Sequence, residues 1–340
     1  MNTQDSINQT ITSFADNSSI FVVIVSYRSG QLVINALSSL KGELLNEPNM
    51  KVVVIDNSCG EDAKIILDAI DRESWSAWVT VIVSPRNGGF SYGNNLAIRP
   101  ALKAERPPKY YWLLNPDTQI YSGAGVSLRH FLDENDSAGI VGSCLFNDDG
   151  NEWGYAFRFP TMVSETEQAL QFGPFSRLVK NDVVAQRMGN KPSQVEWLPG
   201  ASMMIRDKVF SDSGLFDENY FLYYEETDFC FNALSSQWSC WYLPESKVMH
   251  IAGQSTGATG QSSVAKRLPP YIYDSRYYYF TKNYGFCYTL VTDLVRIIAI
   301  ISNKIIKFLM REPNKHRPYL LRDNILNLSI VKSLRNVVRK

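Results

Sequence analysis

The chain has 340 residues, of which 45% are hydrophobic and 20% charged, an ordinary globular composition long enough for one large or two ordinary domains. Its 34 Lys and Arg balance 34 Asp and Glu, so no strong overall field is expected and no nucleic-acid partner. The five cysteines, Cys59, Cys144, Cys230, Cys240 and Cys287, are odd in number, scattered and without a Cys-x-x-Cys pair, which argues against a disulfide framework or zinc site and for reduced thiols in a cytoplasmic protein.

Charge is unevenly spread along the chain. From Lys304 onward there are ten Lys and Arg against two acids, Glu312 and Asp323, which leaves 24 bases and 32 acids before that point. A basic tail on an acidic body suits contact with an anionic surface. Residues 1–19 are polar, carry Asp5 and Asp16, and lack the basic start and apolar stretch of a signal peptide. They are expected to form a disordered tail.

Phe21-Val22-Val23-Ile24-Val25 reads as a strand buried on both faces, closed by Ser26-Tyr27-Arg28-Ser29-Gly30. Leu32, Ala36, Leu37 and Leu40 then recur at helical spacing. Val52 to Ile55 is a second strand ending at Asp56-Asn57-Ser58, and Glu61 to Ile70 a second helix. Val79 to Val83 is a third strand, followed by Asn87-Gly88-Gly89-Phe90, and Gly93-Asn94-Asn95 leads into a helix over Leu96 to Leu102. These glycines let backbone approach a ligand, although turns of this kind are common for structural reasons alone. Neither a Gly-x-Gly-x-x-Gly fingerprint nor a Gly-x-x-x-x-Gly-Lys-Ser/Thr loop occurs here, so a dinucleotide or nucleoside-triphosphate loop is not supported.

The fourth strand is Tyr110-Tyr111-Trp112-Leu113-Leu114, which runs into Asn115-Pro116-Asp117-Thr118. Pro116 has no N–H for a ladder and ends the pairing. The β-α-β-α-β-α-β order predicts a parallel sheet with right-handed crossovers, with its polar loops along one edge. Asp117 then stands where open α/β sheets bind ligands, either holding a divalent cation beside a diphosphate or capping the next turn.

Ile140-Val141-Gly142 reads as an edge strand, and Asn147-Asp148-Asp149-Gly150 as a turn. Residues 157–189 mix Pro, aromatics and charges and suit an insertion or lid. Trp197 to Ile205 resumes a strand with a bend at Pro199-Gly200. In Tyr223-Tyr224-Glu225-Glu226-Thr227-Asp228, aromatics crowd three carboxylates. A helix beginning near Glu225 puts Glu226 in its first turn, as a general base of raised pKa or as one of the acids that helix N-termini favour anyway. Trp238 to Met249 is a strand that ends at His250, either a structural histidine or a second metal ligand. Finally Leu290, Leu294, Ile297, Ile301, Ile305 and Phe308 recur every three or four residues, and Asp293 and Arg296 break any membrane-spanning run. This amphipathic helix lies on a membrane surface, or else packs on the domain or on a second subunit.

Taken in order, Val25-Ser26-Tyr27, Ile55-Asp56-Asn57-Ser58, Asn87-Gly88-Gly89-Phe90, Leu114-Asn115-Pro116-Asp117, Leu198-Pro199-Gly200-Ala201, Gly214-Leu215-Phe216-Asp217, Tyr224-Glu225-Glu226-Thr227-Asp228, and His250 with Gly253 and Ser255 resemble the family 2 inverting glycosyltransferases of the GT-A fold. Within that family they are most similar to the bacterial rhamnosyltransferase-like branch, over about Phe21 to Tyr284. The resemblance implies a Rossmann-like α/β domain over 20–284, with a mostly parallel central sheet flanked by helices. A basic, membrane-proximal helical extension would follow over 285–340.

The resemblance also implies roles. Ser26, Tyr27, Asp56, Asn57, Asn87, Gly88, Asn115 and Asp117 would bind the nucleotide-diphospho-sugar donor, with Asp56 accepting from the pyrimidine N–H. Asp117, with His250, would hold Mg²⁺ or Mn²⁺, although Asn115 stands where relatives often carry a first Asp. Glu226 would be the base, with Glu225 and Asp228 beside it and Asp228 able to orient it or the acceptor. Trp197, Gly200, Ala201 and Tyr223 would shape the acceptor side. The expected reaction is transfer of L-rhamnose from dTDP-rhamnose to a glycan or polyprenyl-diphosphate-linked acceptor in surface polysaccharide (O-antigen type) synthesis, at the inner face of the cytoplasmic membrane. The motifs do not separate this donor from UDP-galactofuranose, a UDP-hexose or a UDP-N-acetylhexosamine. A non-catalytic nucleotide-sugar-binding scaffold and a homo-oligomer also stay open.

Overall fold

The computed structural model describes residues 3–147, 149–152, 155–251 and 267–338. In chain order its elements begin α1 (Thr3–Ala15), β1 (Ile20–Ser26), α2 (Gly30–Leu40), β2 (Lys51–Asp56), α3 (Ala63–Glu73), β3 (Val79–Val83), α4 (Gly89–Ala101), β4 (Tyr110–Leu114), β5 (Thr118–Ile120), α5 (Ala124–Glu134) and β6 (Ala138–Phe146). They continue with β7 (Tyr155–Phe157), α6 (Met162–Leu170), α7 (Gly173–Leu178), β8 (Ala185–Arg187), β9 (Ser193–Val195), β10 (Ser202–Arg206) and α8 (Asp207–Ser213). The last are α9 (Glu225–Ser235), β11 (Ser239–His250), α10 (Pro270–Tyr284), α11 (Phe286–Leu309), α12 (Leu320–Leu326) and α13 (Ser329–Val338). Contacts divide the chain into two compact units, Met1–Phe157 with Arg187–Phe221 and Glu225–Gly260, and Arg158–Gln186 with Leu222–Tyr224 and Gln261–Lys340.

The first unit is built on a sheet of order β3-β2-β1-β4-β10-β6-β11-β5, with β9 also on β11. The β3-β2-β1-β4 half is parallel, as the βα repeat predicts. Beyond it the sheet is mixed. β10 runs antiparallel to both β4 and β6, and β11 runs parallel to β6. All five side chains of β4 are buried, which accounts for its unbroken apolar run. Fully burying one such large side chain stabilises by roughly 1.5–3 kcal/mol.

Three expectations change here. The predicted disordered tail contains helix α1, whose Ile11 and Ala15 are fully buried and whose Thr12 Oγ1 donates to the Pro100 carbonyl at 3.0 Å. Two well-placed side chains suffice to dock a helix too polar on average to announce itself. Ile140-Val141-Gly142 is not an edge: β6 lies between β10 and β11 with eight of its nine residues buried. The helix expected from Leu96 starts at Gly89, so the glycine and asparagine run is helix, not loop. Gly93 is needed there because a Cβ would come within 2.6 Å of Val25 Cγ1. The turn at Asn147 to Gly150 is closed by the Gly150 N–H to the Asn147 carbonyl at 3.0 Å, and Asp148 lies outside the described residues.

The second unit gathers α6, α7 and α10 to α13. Its apolar cluster is small, centred on Ala169, Ala299 and Ile300. Beside it, Arg276 donates to Glu165 and to Asp293, each at 2.6 Å, and Arg296 donates to Glu165 at 2.9 Å. The 157–189 segment thus supplies a helix and a buried carboxylate to the C-terminal helices. The amphipathic helix is also longer than its apolar stripe predicts, 24 residues in α11.

Candidate active site

Strand direction sets the site. β4, β6 and β11 point the same way as β1 and β2, so the carboxyl ends of β1, β2, β4 and β11 share one edge of the sheet. β10 runs the other way and therefore begins at that edge, bringing Gly200 and Ala201 there. The Asn115 N–H donates to the Ala201 carbonyl at 3.1 Å and ties the two loops together.

On the proposed donor side the polar residues do unequal things. Ser26 is fully buried and donates to Asp62 Oδ2 at 2.6 Å, an acceptor that also takes the Ser29 N–H at 3.0 Å. Asp56 is fully buried too. Its Oδ1 accepts from the Ser58 N–H at 2.8 Å and the Ser58 hydroxyl at 2.5 Å, and its Oδ2 from the Ala63 N–H at 3.0 Å. It shapes the β2–α3 loop through those bonds, with Oδ2 taking a single N–H. Tyr27 is exposed, with the Arg28 guanidinium 5.4 Å from its ring centroid. Asn57 donates to the Gly89 carbonyl at 2.9 Å, and the Asn87 side chain accepts from the Gly89 N–H at 3.1 Å. Both fix the start of α4. Gly89 has φ +83°, and a Cβ would fall 1.9 Å from the Phe221 carbonyl oxygen, which accepts from the Phe90 N–H at 3.0 Å. Asn87 and Gly88 remain half-buried at the rim.

Asp117 and His250 meet. β5 pairs antiparallel with β11 so that Thr118 lies opposite His250. The result is a 3.3 Å approach of Asp117 Oδ1 to His250 Nε2, with the Asn115 amide nitrogen 3.2 Å from the same ring nitrogen. A carboxylate oxygen, an imidazole nitrogen and a side-chain amide fit a divalent cation that keeps several positions for water and phosphate. Among the described residues no group of three or more His, Cys, Asp and Glu forms such a site. Gly253 and Ser255 lie outside the described residues.

The three acids of α9 separate by environment. Glu225 and Asp228 are each 1% exposed, and Asp228 accepts from Tyr220 Oη and Asn232 Nδ2, both at 3.2 Å. Glu226 is half-buried in the first turn, where its Oε1 accepts from the Gly200 N–H at 3.2 Å. Burial pushes its carboxyl above the ordinary glutamate value, against the pull of its own N–H and that of Gly200. Gly200 has no room to spare, because a Cβ would lie 2.8 Å from Phe90 Cζ and 2.9 Å from Glu226 Oε1. Trp197 stacks on Phe157 at 4.4 Å. Tyr223 belongs to the second unit, where it stacks on Tyr271 at 6.2 Å. It and Tyr224 hold consecutive left-handed conformations, φ +70° and +71°, immediately before α9.

The family model for Glycosyl transferase family 2 matches residues 21–197. The chain belongs to that family. This glycosyltransferase is 27% identical over 254 residues to the N-acetylglucosaminyl-diphospho-decaprenol L-rhamnosyltransferase of Mycobacterium tuberculosis, covering 72% of the chain and 80% of the relative. It is 25% identical over 243 residues to the dTDP-rhamnosyl transferase RfbF of Shigella flexneri, covering 71% of each. Its fold is similar to that of the mannosyltransferase PcManGT from Pyrobaculum calidifontis, solved with GDP-Man and Mn²⁺, at TM-score 0.53 and 10% identity over 99% of this chain and 95% of that one. It also matches GalNAc-T7, solved with UDP, GalNAc and Mn²⁺, at TM-score 0.54 and 13% identity over 87% of this chain and 58% of that one. These are GT-A glycosyltransferases, so the expected fold class holds.

Several residues that shape the glycosyltransferase's site carry no motif of their own. Asp62 organises the β1 loop, and only its place just before a predicted helix hints at it. Glu43 accepts from the N–H groups of Gly123 at 2.6 Å and Gly125 at 3.0 Å, capping α5 from 80 residues away in sequence. Asn95 exchanges hydrogen bonds with the Phe216 backbone at 2.8 and 3.2 Å and so holds the loop leading toward α9.

Proposed function

We propose that this enzyme is an inverting glycosyltransferase that moves L-rhamnose from dTDP-rhamnose to a hydroxyl of a glycan or lipid-linked glycan, at the cytoplasmic face of a membrane. The observation that carries the chemistry is Glu226, the one carboxylate of its trio left partly open, held by the Gly200 N–H on the sheet edge that also bears Asp117 and His250. Its raised pKa makes it a better proton acceptor than an ordinary glutamate.

Glu226 takes the proton of the acceptor hydroxyl as that oxygen attacks C1 of the sugar. The C1–O bond to the diphosphate breaks on the opposite face, and the diphosphate leaves with the electron pair. A single carboxylate base without a covalent intermediate inverts the anomeric centre. Asp117 and His250 would hold Mn²⁺ or Mg²⁺, which when bound neutralises charge on the departing diphosphate. Tyr27 and the Asn87-Gly88 rim supply the exposed surface for the nucleoside. Rhamnose as donor is supported by the names of two relatives, both rhamnosyltransferases.

The test is calorimetric titration of dTDP-rhamnose and a panel of UDP-sugars with Mn²⁺ or Mg²⁺, repeated with chelator and with Asp117→Ala. The reading expects dTDP-rhamnose to bind best and binding to collapse in both controls. A UDP-sugar binding best would replace the donor while keeping the mechanism. Binding untouched by chelator and by Asp117→Ala would remove the metal assignment.

A further inference from the structure

Helix α11 has its faces the wrong way round for a helix in water. Its buried positions are mostly polar: Thr289, Thr292, Asp293 and Asn303, with Ala299 and Ile300. Half a turn away, the sites at Leu294, Ile298, Ile301, Ile305 and Phe308 form one stripe of 3- and 4-residue spacing, and all are exposed, Ile298 by 62% and Phe308 by 82%. The polar face is committed to its own unit. Asp293 accepts from Arg276 and from the Ser329 N–H at 2.7 Å, and Asn303 donates to the Leu170 carbonyl at 2.7 Å. The helix therefore cannot roll over to hide the stripe without stripping a buried carboxylate of its partners.

A second feature lies at the same end of the unit. A cleft of about 630 Å³ has Lys304, Arg317 and Arg322 together with Leu321, Ile325 and Leu326 in its lining, and no acid. Lys304 is on α11, one turn from Ile301 and Phe308, so cleft and stripe adjoin. Among the described residues Lys304 and Arg322 form no ion pair, whereas the neighbouring Lys307 is neutralised by Glu312. Cations and apolar side chains lining one cleft match a phosphate that carries hydrocarbon.

We infer that the second unit docks on an anionic phospholipid bilayer, with the α11 stripe set into the acyl boundary and a lipid phosphate held by Lys304 and Arg322. The inference deepens the membrane half of the proposed function and is independent of the sugar chemistry. No described helix is long and apolar enough to cross a membrane, so the stripe lies along the surface.

The experiment is co-sedimentation of the full chain with phosphatidylcholine vesicles, with and without phosphatidylglycerol, across a salt series. Wild type is expected to sediment with the anionic vesicles and to be released by salt. Ile298→Glu with Ile305→Glu should weaken binding at least tenfold, and Lys304→Ala with Arg322→Ala by about fivefold per charge, while circular dichroism and calorimetric donor binding stay unchanged. Glu226→Gln should bind vesicles as wild type does, which separates failure of docking from failure of the catalytic reading. Wild type left in the supernatant would overturn the inference, as would stripe variants that bind equally well. Inorganic phosphate binding without vesicle binding would make the cleft a site for a soluble anion. A dimer in solution that Ile298→Glu dissociates would assign the stripe to a second copy.

Discussion

Four buried acids, Glu43 and Asp56 in the first unit and Glu165 and Asp293 in the second, are answered by two kinds of partner. In the first unit Glu43 accepts from backbone N–H groups, and Asp56 from backbone N–H groups and a hydroxyl. In the second, Glu165 is enclosed by two guanidiniums and Asp293 by one. The pKa values follow. Burial raises the Glu43 carboxyl and four backbone N–H groups only partly offset it. Burial pushes Glu165 up as well, but Arg276 and Arg296 overcome it and hold the carboxyl low. Neutral dipoles fix a loop without fixing the charge, while guanidiniums fix both. Glu226 stands at the far end of the first kind, with one neighbouring loop N–H and an open side, which suits the base role proposed for it.

The largest expected effect removes that proposed base. Glu226→Gln should lower turnover by about 10²–10⁴-fold while donor binding persists, read by steady-state kinetics and calorimetry together. Its melting temperature should not fall. A carboxyl whose folded pKa is raised stabilises fully only below its unfolded value and loses that contribution as pH rises, so at neutral pH the charge is a burden that Gln removes.

Breaking the other kind of site comes next. Arg276→Met leaves Glu165 and Asp293 buried with fewer cations and should cost about 3–5 kcal/mol, seen in chemical denaturation. Gly200→Ala is subtler, since the new methyl meets Phe90 and Glu226. A displaced base should slow turnover up to roughly 10²-fold with little change in stability. The smallest effect is on pH response. Glu165, with a lowered pKa, stabilises above its unfolded value near 4.5 and loses this as pH falls through its folded value. Glu43 has the opposite sign. Hydrogen exchange on acidification should therefore show α6 and α10 loosening before α5; the reverse order would erase the distinction drawn above.

The parallel half of the sheet was legible because its inner strands are buried on both faces and read as unbroken apolar runs, as in Phe21 to Val25 and Tyr110 to Leu114. The start of α9 and the meeting of Asp117 with His250 also follow from the motifs, although only the β5–β11 pairing explains why residues so distant touch. Two things were hidden. Helix α1 is anchored by too few apolar side chains to outweigh its polar ones. The interior of the second unit is ionic, so a reading that sends charges outward assigns Asp293 and Arg296 to the wrong face of α11. Asp56 shows a different limit, because a sequence motif marks a position and does not reveal that its carboxylate also organises the β2–α3 loop.

The second unit is stitched from three stretches, 158–186, 222–224 and 261–340. Its middle stitch is the strained Tyr223-Tyr224 pair that immediately precedes α9. Such a unit cannot be inherited or discarded as a cassette. Cutting the chain after residue 260 would strand Glu165 without either guanidinium, so a shortened gene would not encode a smaller enzyme but a damaged one, and recombination that swaps the C-terminal helices between relatives must bring the residues around Glu165 along with them.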